Sequence, residues 1–214
     1  MFTPYLTITI AIAAVAGMLA SEARWPRWEW LFKPLASLCF ITLALQAGAI
    51  HSSYGQWLLA GLVLCLFGDV FLIPHDEKSF RAGLTSFLLG HLLYAVAFLQ
   101  LPLNLIAMLW GLIPVTLLAV LSLRWLWPHV PSAMQVPVLA YIGVICCMLL
   151  MAGSTWGSAS GALILAGAWG FAVSDLSVAR HQFVKSDFRN RLWGIPLYFG
   201  SQMLLAWSVA GVAS

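Results

Sequence analysis

Charged side chains are scarce in this 214-residue chain: Asp, Glu, Lys and Arg make up 8% of it, whereas 62% is hydrophobic. A soluble domain carries roughly 25% charged residues because its surface faces water. The shortage therefore excludes a soluble fold for the chain as a whole. No segment is long and polar enough to form a separate soluble domain, so the surface is expected to face lipid.

Three further absences narrow the class. The alternating ten-residue segments that are typical of a membrane β-barrel are missing. The four cysteines lie in apolar runs without CxxC spacing, so we expect buried free thiols and neither a disulfide framework nor a zinc site; they are Cys39, Cys65, Cys146 and Cys147. No Lys or Arg precedes Arg24, whereas a signal peptide begins with a basic region, so the first apolar run is expected to be a retained helix.

Apolar runs of about 20 residues, long enough to cross ~30 Å of hydrocarbon, recur along the chain. We predict an all-α integral membrane protein, one polytopic domain over residues 1–214, with eight transmembrane helices. Their predicted bounds are 4–20, 34–50, 56–73, 82–100, 103–122, 135–152, 158–179 and 194–212.

The basic residues fall on one side of this arrangement. All ten follow helices one, three, five or seven, and the opposite connections contain none. Cytoplasmic loops are enriched in Lys and Arg. The pattern therefore predicts an inner (plasma) membrane protein of a bacterium with four cytoplasmic loops and both termini in the periplasm.

Two segments resemble each other within the chain. "GQWLLAGLVLCLFGD" ends at Asp69 and "GALILAGAWGFAVSD" ends at Asp175. Both helices run from outside to inside, so the repeat is expected to be parallel, with halves 1–101 and 102–214 of four helices each about an axis along the membrane normal. The two aspartates would then be equivalent and face a common centre.

Asp69, Asp175 and His91 are the ionisable residues that lie deepest in apolar runs. A charge at the centre of a membrane helix costs roughly 3 kcal/mol, so such groups usually face the protein interior and often function there. His91 shares a helical face with Tyr94. We expect the two acids and the histidine to line one cavity on the cytoplasmic side, although each group could instead be a structural hydrogen-bonding residue.

Six short motifs carry a family resemblance. They are "LFKPL" (31–35), "FGDVFL" (67–72), "FLLGHLLY" (87–94), "AY" (140–141), "GFAVSD" (170–175) and "YFGSQ" (198–202). In this order and spacing they resemble the YhhN-like lysoplasmalogenase family, whose members are multi-span proteins that hydrolyse the vinyl ether bond of lysoplasmalogens. The resemblance implies that Asp69 and Asp175 are the catalytic acids. It also implies a polar site that contains Lys33, His91, Tyr141, Tyr198 and Gln202, to which the helical face adds Tyr94.

The residues suit that chemistry independently of the resemblance. Hydrolysis of a vinyl ether begins with protonation of its β-carbon and passes through an oxocarbenium ion. One acid that stays protonated and a second, ionised acid form the pair that this reaction needs, as in glycosidases. The expected products are a fatty aldehyde and glycerophosphoethanolamine or glycerophosphocholine, and the expected partners are a lysophospholipid and membrane lipid, with no nucleic acid, cofactor or metal.

Two other functions fit the composition. Matched acids within repeated halves also occur in proton-coupled transporters, so a transporter or flippase of a small lipid-like substrate is the main alternative. A membrane scaffold without chemistry is the third reading, and it leaves the paired acids unexplained. Release of aldehyde by purified protein in detergent separates the enzyme from both.

The charge pattern gives a prediction of topology. A reporter fused at Ser214 should be periplasmic and one inserted near Lys185 should be cytoplasmic, because all ten basic residues lie on one side. Activity of paired periplasmic and cytoplasmic reporters measures this. A cytoplasmic signal at Ser214 would contradict the eight-span arrangement.

Overall fold

A computed structural model describes residues 3–21, 25–74 and 76–212, without the side chain of Pro26. Arg24 and Ser214, on which the predicted membrane orientation partly depends, lie outside these ranges. The described residues form eight α-helices and no strand, in the order expected. The helices are α1 (Pro4–Ser21), α2 (Glu29–Gln46), α3 (Ser53–Phe71), α4 (Glu77–Phe98), α5 (Leu105–Leu126), α6 (Ser132–Ser154), α7 (Gly161–Ala179) and α8 (Phe188–Ser208).

Six of these helices are long and apolar enough to cross a membrane, and α2 and α8 are not among them. Both begin five to six residues earlier than predicted, because charges that were assigned to loops continue the helix: Lys33 in α2, and Arg189 and Arg191 in α8. Their polarity is directed largely inwards. Helix α8 buries Asn190 and Gln202 in the protein, which lowers its hydropathy without exposing those groups to lipid. An all-α membrane protein is therefore confirmed, and eight spans remain a prediction.

Side-chain caps fix several helix ends. Ser52, Asp76, Asn104 and Asp187 each accept a hydrogen bond from a backbone N–H in the first turn of the helix that follows, at 3.0–3.1 Å. Such caps satisfy donors that the helix leaves unpaired. The backbone N–H groups of Ser79 and Arg189 also lower the pKa of Asp76 and Asp187 respectively. A depressed pKa in the folded state means that this capping contribution is lost as the pH falls into the acid range.

The centre of the bundle consists of two closely packed pairs, α3 with α4 and α7 with α8, while α2 packs on α8 and α4 packs on α6. Glycines allow the close approach. A Cβ at Gly61 would lie 2.5 Å from the ring of Tyr94, and one at Gly194 would overlap Ser177. Small residues at helix contacts are usual in membranes, where van der Waals packing drives association.

Helix α5 is peripheral. Only Val115, Ser122 and Leu126 are buried in it, and Trp110 and Ile113 are largely exposed on its outer face. All four cysteines are free, but Cys146 is only partly buried and Cys147 is exposed. The expectation that all four thiols are buried is therefore wrong, because α6 turns this part of its surface outwards.

The start of α2 and the described parts of the connections α3–α4, α5–α6 and α7–α8 meet at one end of the bundle, which we call the basic end. Residues from this end of seven helices, α2 to α8, surround one cavity of about 970 Å³. The α7–α8 connection starts with a π-helical turn, Arg180–Val184, and part of it borders the cavity. The fold thus sets a large cavity into the end that carries the basic residues.

The glycine contacts predict a stability difference between two positions of α8. Gly194→Ala should lower the free energy of unfolding by roughly 1–3 kcal/mol, the usual cost of overpacking, because the new Cβ would lie 2.5 Å from the Cβ of Ser177. Gly200→Ala is the matched control: among the described residues no neighbouring atom lies within 4 Å of its added Cβ, so it should be neutral or stabilise by up to ~1 kcal/mol. Thermal unfolding in detergent measures both, and equal melting temperatures would contradict the tight α7–α8 contact.

Candidate active site

Asp69 lies in the last turn of α3 and is 2% exposed. Its Oδ2 accepts hydrogen bonds from Ser37 Oγ of α2 at 2.7 Å and from Tyr198 OH of α8 at 2.8 Å. The ammonium group of Lys33, one turn before Ser37, also interacts electrostatically with it. Two hydroxyl donors and a cation therefore surround this buried carboxyl group.

Asp175 lies near the end of α7, with 15% of its side chain exposed. Its Oδ2 accepts a hydrogen bond from Tyr141 OH of α6 at 3.0 Å, and His91 Nε2 of α4 lies 3.3 Å from the same oxygen. The His91 contact has an ion-pair distance but not the geometry of a hydrogen bond, and within the described residues Nε2 has no hydrogen-bond partner. Each aspartate is thus approached by two other helices.

His91 has a tautomer that its neighbours determine. Its Nδ1 lies 2.7 Å from the carbonyl oxygen of Phe87, which can only accept, so Nδ1 carries a hydrogen. The ring is fully buried and stacks on Phe171 with 4.1 Å between ring centroids. With Nδ1 committed to Phe87, Nε2 is the ring nitrogen that faces Asp175 Oδ2, at 3.3 Å.

Tyr94 and Gln202 are fully buried one layer deeper. Tyr94 OH donates to Gln202 Oε1 at 2.6 Å, and Gln202 Nε2 lies 3.7 Å from Cys65 Sγ. Neither residue borders the cavity, so the pair closes the bundle beneath it. The residues that border the cavity include both acids together with Lys33, Tyr141 and Tyr198.

The apolar run around His91 predicts that this residue lines the cavity with the two acids. Both acids do border it, but His91 lies behind Asp175, against Phe171, and does not. Packing explains the difference. The imidazole fills a gap between aromatic rings and reaches the cavity only through the carboxylate.

Sequence reasoning missed a second charged group at the polar wall. Glu29, at the first position of α2, is 7% exposed, and its Oε1 lies 2.6 Å from Arg191 Nη2 and 3.8 Å from Lys33 Nζ. Asn190, 1% exposed, borders the cavity beside them. The signal was present as the spacing of Glu29, Lys33 and Ser37 at i, i+4 and i+8, which sets a polar stripe on one face of a helix. The predicted helix bounds, 34–50 and 194–212, leave Glu29 and Arg191 in the loops and so hide this stripe.

The opposite wall of the cavity is largely apolar. It is built by α4, α5 and α6 and includes Phe80, Leu84, Leu118, Met134, Val138 and Ile142. At the start of α4 it also carries Asp76, Glu77 and Arg81, of which the last two form an exposed ion pair. The cavity therefore has a buried charged cluster on α2 and α8, an apolar stretch on α4, α5 and α6, and the two carboxyl groups on its wall. Such a shape suits a molecule with one polar and one apolar part.

The donor set bears on metal binding. Among the described residues, no group of three His, Cys, Asp or Glu side chains is placed to hold a metal ion. What the arrangement offers is two carboxyl groups in different surroundings, Asp69 beside a cation and Asp175 beside an imidazole. Two acids held in different environments are the usual basis of acid–base catalysis.

Some relatives of the chain are named lysoplasmalogenase, and others are named uncharacterized membrane protein YhhN. It is 32% identical over 200 residues to lysoplasmalogenase TMEM86A of Bos taurus, covering 86% of this chain and 79% of the relative. It is 34% identical over 184 residues to lysoplasmalogenase TMEM86B of Mus musculus, covering 84% and 75%. It is also 33% identical over 154 residues to the uncharacterized membrane protein YhhN of Escherichia coli O157:H7, covering 70% of each. No solved structure matches the chain significantly.

The matched region contains the whole of the cavity wall described above. The model of the YhhN family matches residues 28–209, from the start of α2 to the end of α8. With the six sequence motifs, the helical membrane fold and relatives above 30% identity over most of the chain, this match shows that the protein belongs to the YhhN family.

Proposed function

We propose that this protein hydrolyses the vinyl ether bond of lysoplasmalogens, giving a fatty aldehyde and glycerophosphoethanolamine or glycerophosphocholine. The observation that carries the proposal is the pair of carboxyl groups, Asp69 and Asp175, on one cavity with a buried charged cluster and an apolar stretch. The relatives named lysoplasmalogenase support the same reaction. A single-chain lipid matches a cavity of this shape within a membrane protein.

The reaction consumes one water molecule. A protonated group gives its proton to the β-carbon of the vinyl ether, and the oxocarbenium ion that results is stabilised by a nearby carboxylate. That carboxylate takes a proton from water as the water oxygen bonds to the α-carbon. The hemiacetal then collapses: its hydroxyl proton returns to the first group, the carbon–oxygen bond to glycerol breaks, and the glycerol oxygen receives the second proton.

The neighbours of the two acids have supporting roles in this proposal. Tyr198 orients Asp69, and Tyr141 and His91 orient Asp175, through the contacts given above. Tyr94 and Gln202 close the cavity towards the bundle centre, and Lys33 meets the polar part of the substrate. No metal or cofactor has a part in the proposed reaction.

We further propose that the chain is built from two repeated halves, 1–101 and 102–214. The contacts support this in a crossed pattern. Asp69 accepts hydrogen bonds from α2 of its own half and from α8 of the other, whereas Asp175 contacts α6 of its own half and α4 of the other. The repeated aspartates would then hold the halves together as well as act on substrate.

The proposed location is the inner membrane, with the cavity open to the cytoplasm, because the cavity lies at the basic end. This one-sided position also bears on the transporter alternative. A transporter needs a polar path to both faces, and the fully buried Tyr94–Gln202 pair lies where that path would continue. An assay in detergent, where transport has no meaning, separates the two functions.

Asparagine at either acid tests the catalytic pair. Asp69→Asn and Asp175→Asn should each lower turnover by roughly 10²-fold or more, the usual scale for loss of a general acid or base, because the amide keeps the shape but cannot exchange the proton. The double variant should be little worse than either single one, since the groups act as a unit. His91→Ala should cost less, because it acts through Asp175. Aldehyde release from lysoplasmalogen by purified, folded protein measures all four.

The matched control is Asp187→Asn, which changes an exposed acid outside the cavity, where Asn also caps a helix. It should leave turnover unchanged. Near-normal activity of Asp69→Asn or Asp175→Asn would remove that residue from the catalytic role. Absence of aldehyde release by the unmodified protein would contradict the proposed function itself.

A further inference from the structure

The buried charged cluster on α2 and α8 is more than a solvated surface. Glu29 and Lys33 are 7% and 9% exposed, and Arg191 keeps 18% of its side chain exposed. All three border the cavity. Burying charges in this way is costly unless they are paired, and Glu29 pairs with both cations. The group is therefore a preformed cluster that faces an interior space.

We propose that the cavity binds its lipid in one orientation, with the phosphodiester of the head group on Lys33 and Arg191 and the hydrocarbon chain in the groove between α4, α5 and α6. This rests on the proposed function and deepens it, because the orientation decides which aspartate supplies the proton. Lys33 and Arg191 are the largely buried cations of the cavity, whereas Arg81, at the start of α4, is half exposed and paired with Glu77. Arg and Lys are the usual phosphate-binding side chains. Glu29 positions both of them.

The charge balance of the cluster favours a zwitterionic head group. When Asp69 is ionised, as its proposed role requires, Glu29 and Asp69 carry two negative charges that balance the two positive charges of Lys33 and Arg191. A choline or ethanolamine phosphodiester adds no net charge to this buried group. A phosphate monoester would leave it with excess negative charge, which is unfavourable where water is excluded.

The register of α2 sets the distance between head group and acid. Lys33 and Ser37 are one turn apart, ~5.4 Å along the helix, and Ser37 Oγ donates to Asp69. A phosphodiester on Lys33 therefore lies about one helical turn from Asp69. The three-carbon glycerol unit spans such a gap, and it brings the ether oxygen and the α-carbon of the vinyl ether next to Asp69.

The chain then continues towards the other acid. Tyr141, which donates to Asp175, is followed on α6 by Ile142 and Ile145, and both line the apolar wall. The β-carbon lies on the chain side of the vinyl ether and so comes nearest Asp175. The orientation makes the His91–Asp175 pair the proton donor and leaves Asp69 to stabilise the cation and accept a proton from water.

The contacts of each acid fit these roles. Asp69 accepts hydrogen bonds from Ser37 and Tyr198, which hold its carboxyl group in place beside Lys33. In the proposed cycle Asp175 carries the proton, with His91 Nε2 3.3 Å from its Oδ2 and the Nδ1 hydrogen of His91 committed to the carbonyl oxygen of Phe87. That proton leaves to the β-carbon, and the hemiacetal hydroxyl returns one on collapse, so the pair ends the cycle as it began.

Binding of saturated analogues tests the head-group site without turnover. The probes are 1-O-hexadecyl-lysoglycerophosphocholine, which has the phosphodiester, and 1-O-hexadecylglycerol, which lacks it. The doubly substituted Lys33→Gln, Arg191→Gln protein should bind the phosphodiester probe at least about tenfold more weakly, which corresponds to the loss of at least one charged hydrogen bond. It should bind the glycerol probe as tightly as the unmodified protein does. The unchanged glycerol probe shows that the variant is folded.

Arg189→Gln is the matched control, because Arg189 is exposed on the same helix and does not border the cavity. It should bind both probes normally. Equal affinity of the double variant and the unmodified protein for the phosphodiester probe would overturn the head-group site. The binding test does not depend on catalysis. A protein without lysoplasmalogenase activity would therefore contradict the proposed function, and the binding result would still decide the orientation of the lipid.

The chain groove has a paired test on α5. Ala119 borders the cavity and the next residue, Val120, is 46% exposed on the outer face. Ala119→Phe should weaken binding of the hexadecyl phosphodiester probe roughly tenfold relative to an octyl analogue, because the ring fills the groove, whereas Val120→Phe should change neither. An unchanged chain-length preference in Ala119→Phe would place the chain elsewhere and overturn the orientation.

The pH profile of residual activity tests the assigned roles. A group that must be ionised causes loss of kcat/KM as the pH falls, and a group that must be protonated causes loss as it rises. Asp69→Asn should therefore abolish the acid limb and keep the alkaline limb, and Asp175→Asn should do the reverse. Exchanged limbs would overturn the orientation while leaving the proposed reaction intact, and full activity in both variants would instead contradict the reaction.

Discussion

The structure depends on the need to satisfy ionisable groups buried inside an apolar bundle. An unpaired charge within a membrane helix costs about 2.5–3.5 kcal/mol, and each acid in this chain is relieved of that cost by side chains from two other helices. Asp69 of α3 is held by α2 and α8, and Asp175 of α7 by α6 and α4. Six of the eight helices that the structure describes thus converge on two carboxyl groups. In this part of the chain, α1 and α5 make no contact with either carboxyl group and lie outside the network.

The same requirement explains the unusual polarity of α2 and α8. Both are long enough to cross a membrane but neither is apolar enough for a simple membrane span, yet both contribute to the cavity wall. Helix α2 presents Glu29, Lys33 and Ser37 along one face, and α8 buries Tyr198 and Gln202. Their polar groups face other protein groups, so the hydropathy that they lack is compensated within the protein. The polar centre and the apolar outer surface therefore follow from the same packing of the helices.

The network also gives the cavity two kinds of wall. Buried charged groups lie on α2 and α8, and the wall from α4, α5 and α6 is largely apolar apart from the charges at the start of α4. The two acids lie on the same cavity wall, and this arrangement is the basis of the proposed lipid substrate. Close glycine contacts within α3–α4 and α7–α8 keep the two acid-bearing helices against their neighbours.

The sequence by itself determined the fold class and the number and order of the helices in the described residues. It also singled out Asp69 and Asp175 as acids inside apolar runs. Each of these depends on local properties: apolar length, charge placement and a charge in an apolar run. The tertiary structure decided what lies across from those acids. Glu29 and Arg191 are 162 positions apart, and no local pattern pairs them. His91 lies behind Asp175 because aromatic packing around Phe171 takes the ring away from the cavity. Contacts between distant helices depend on rotation and packing of whole helices, and a one-dimensional pattern contains only the face of each helix, not its partner.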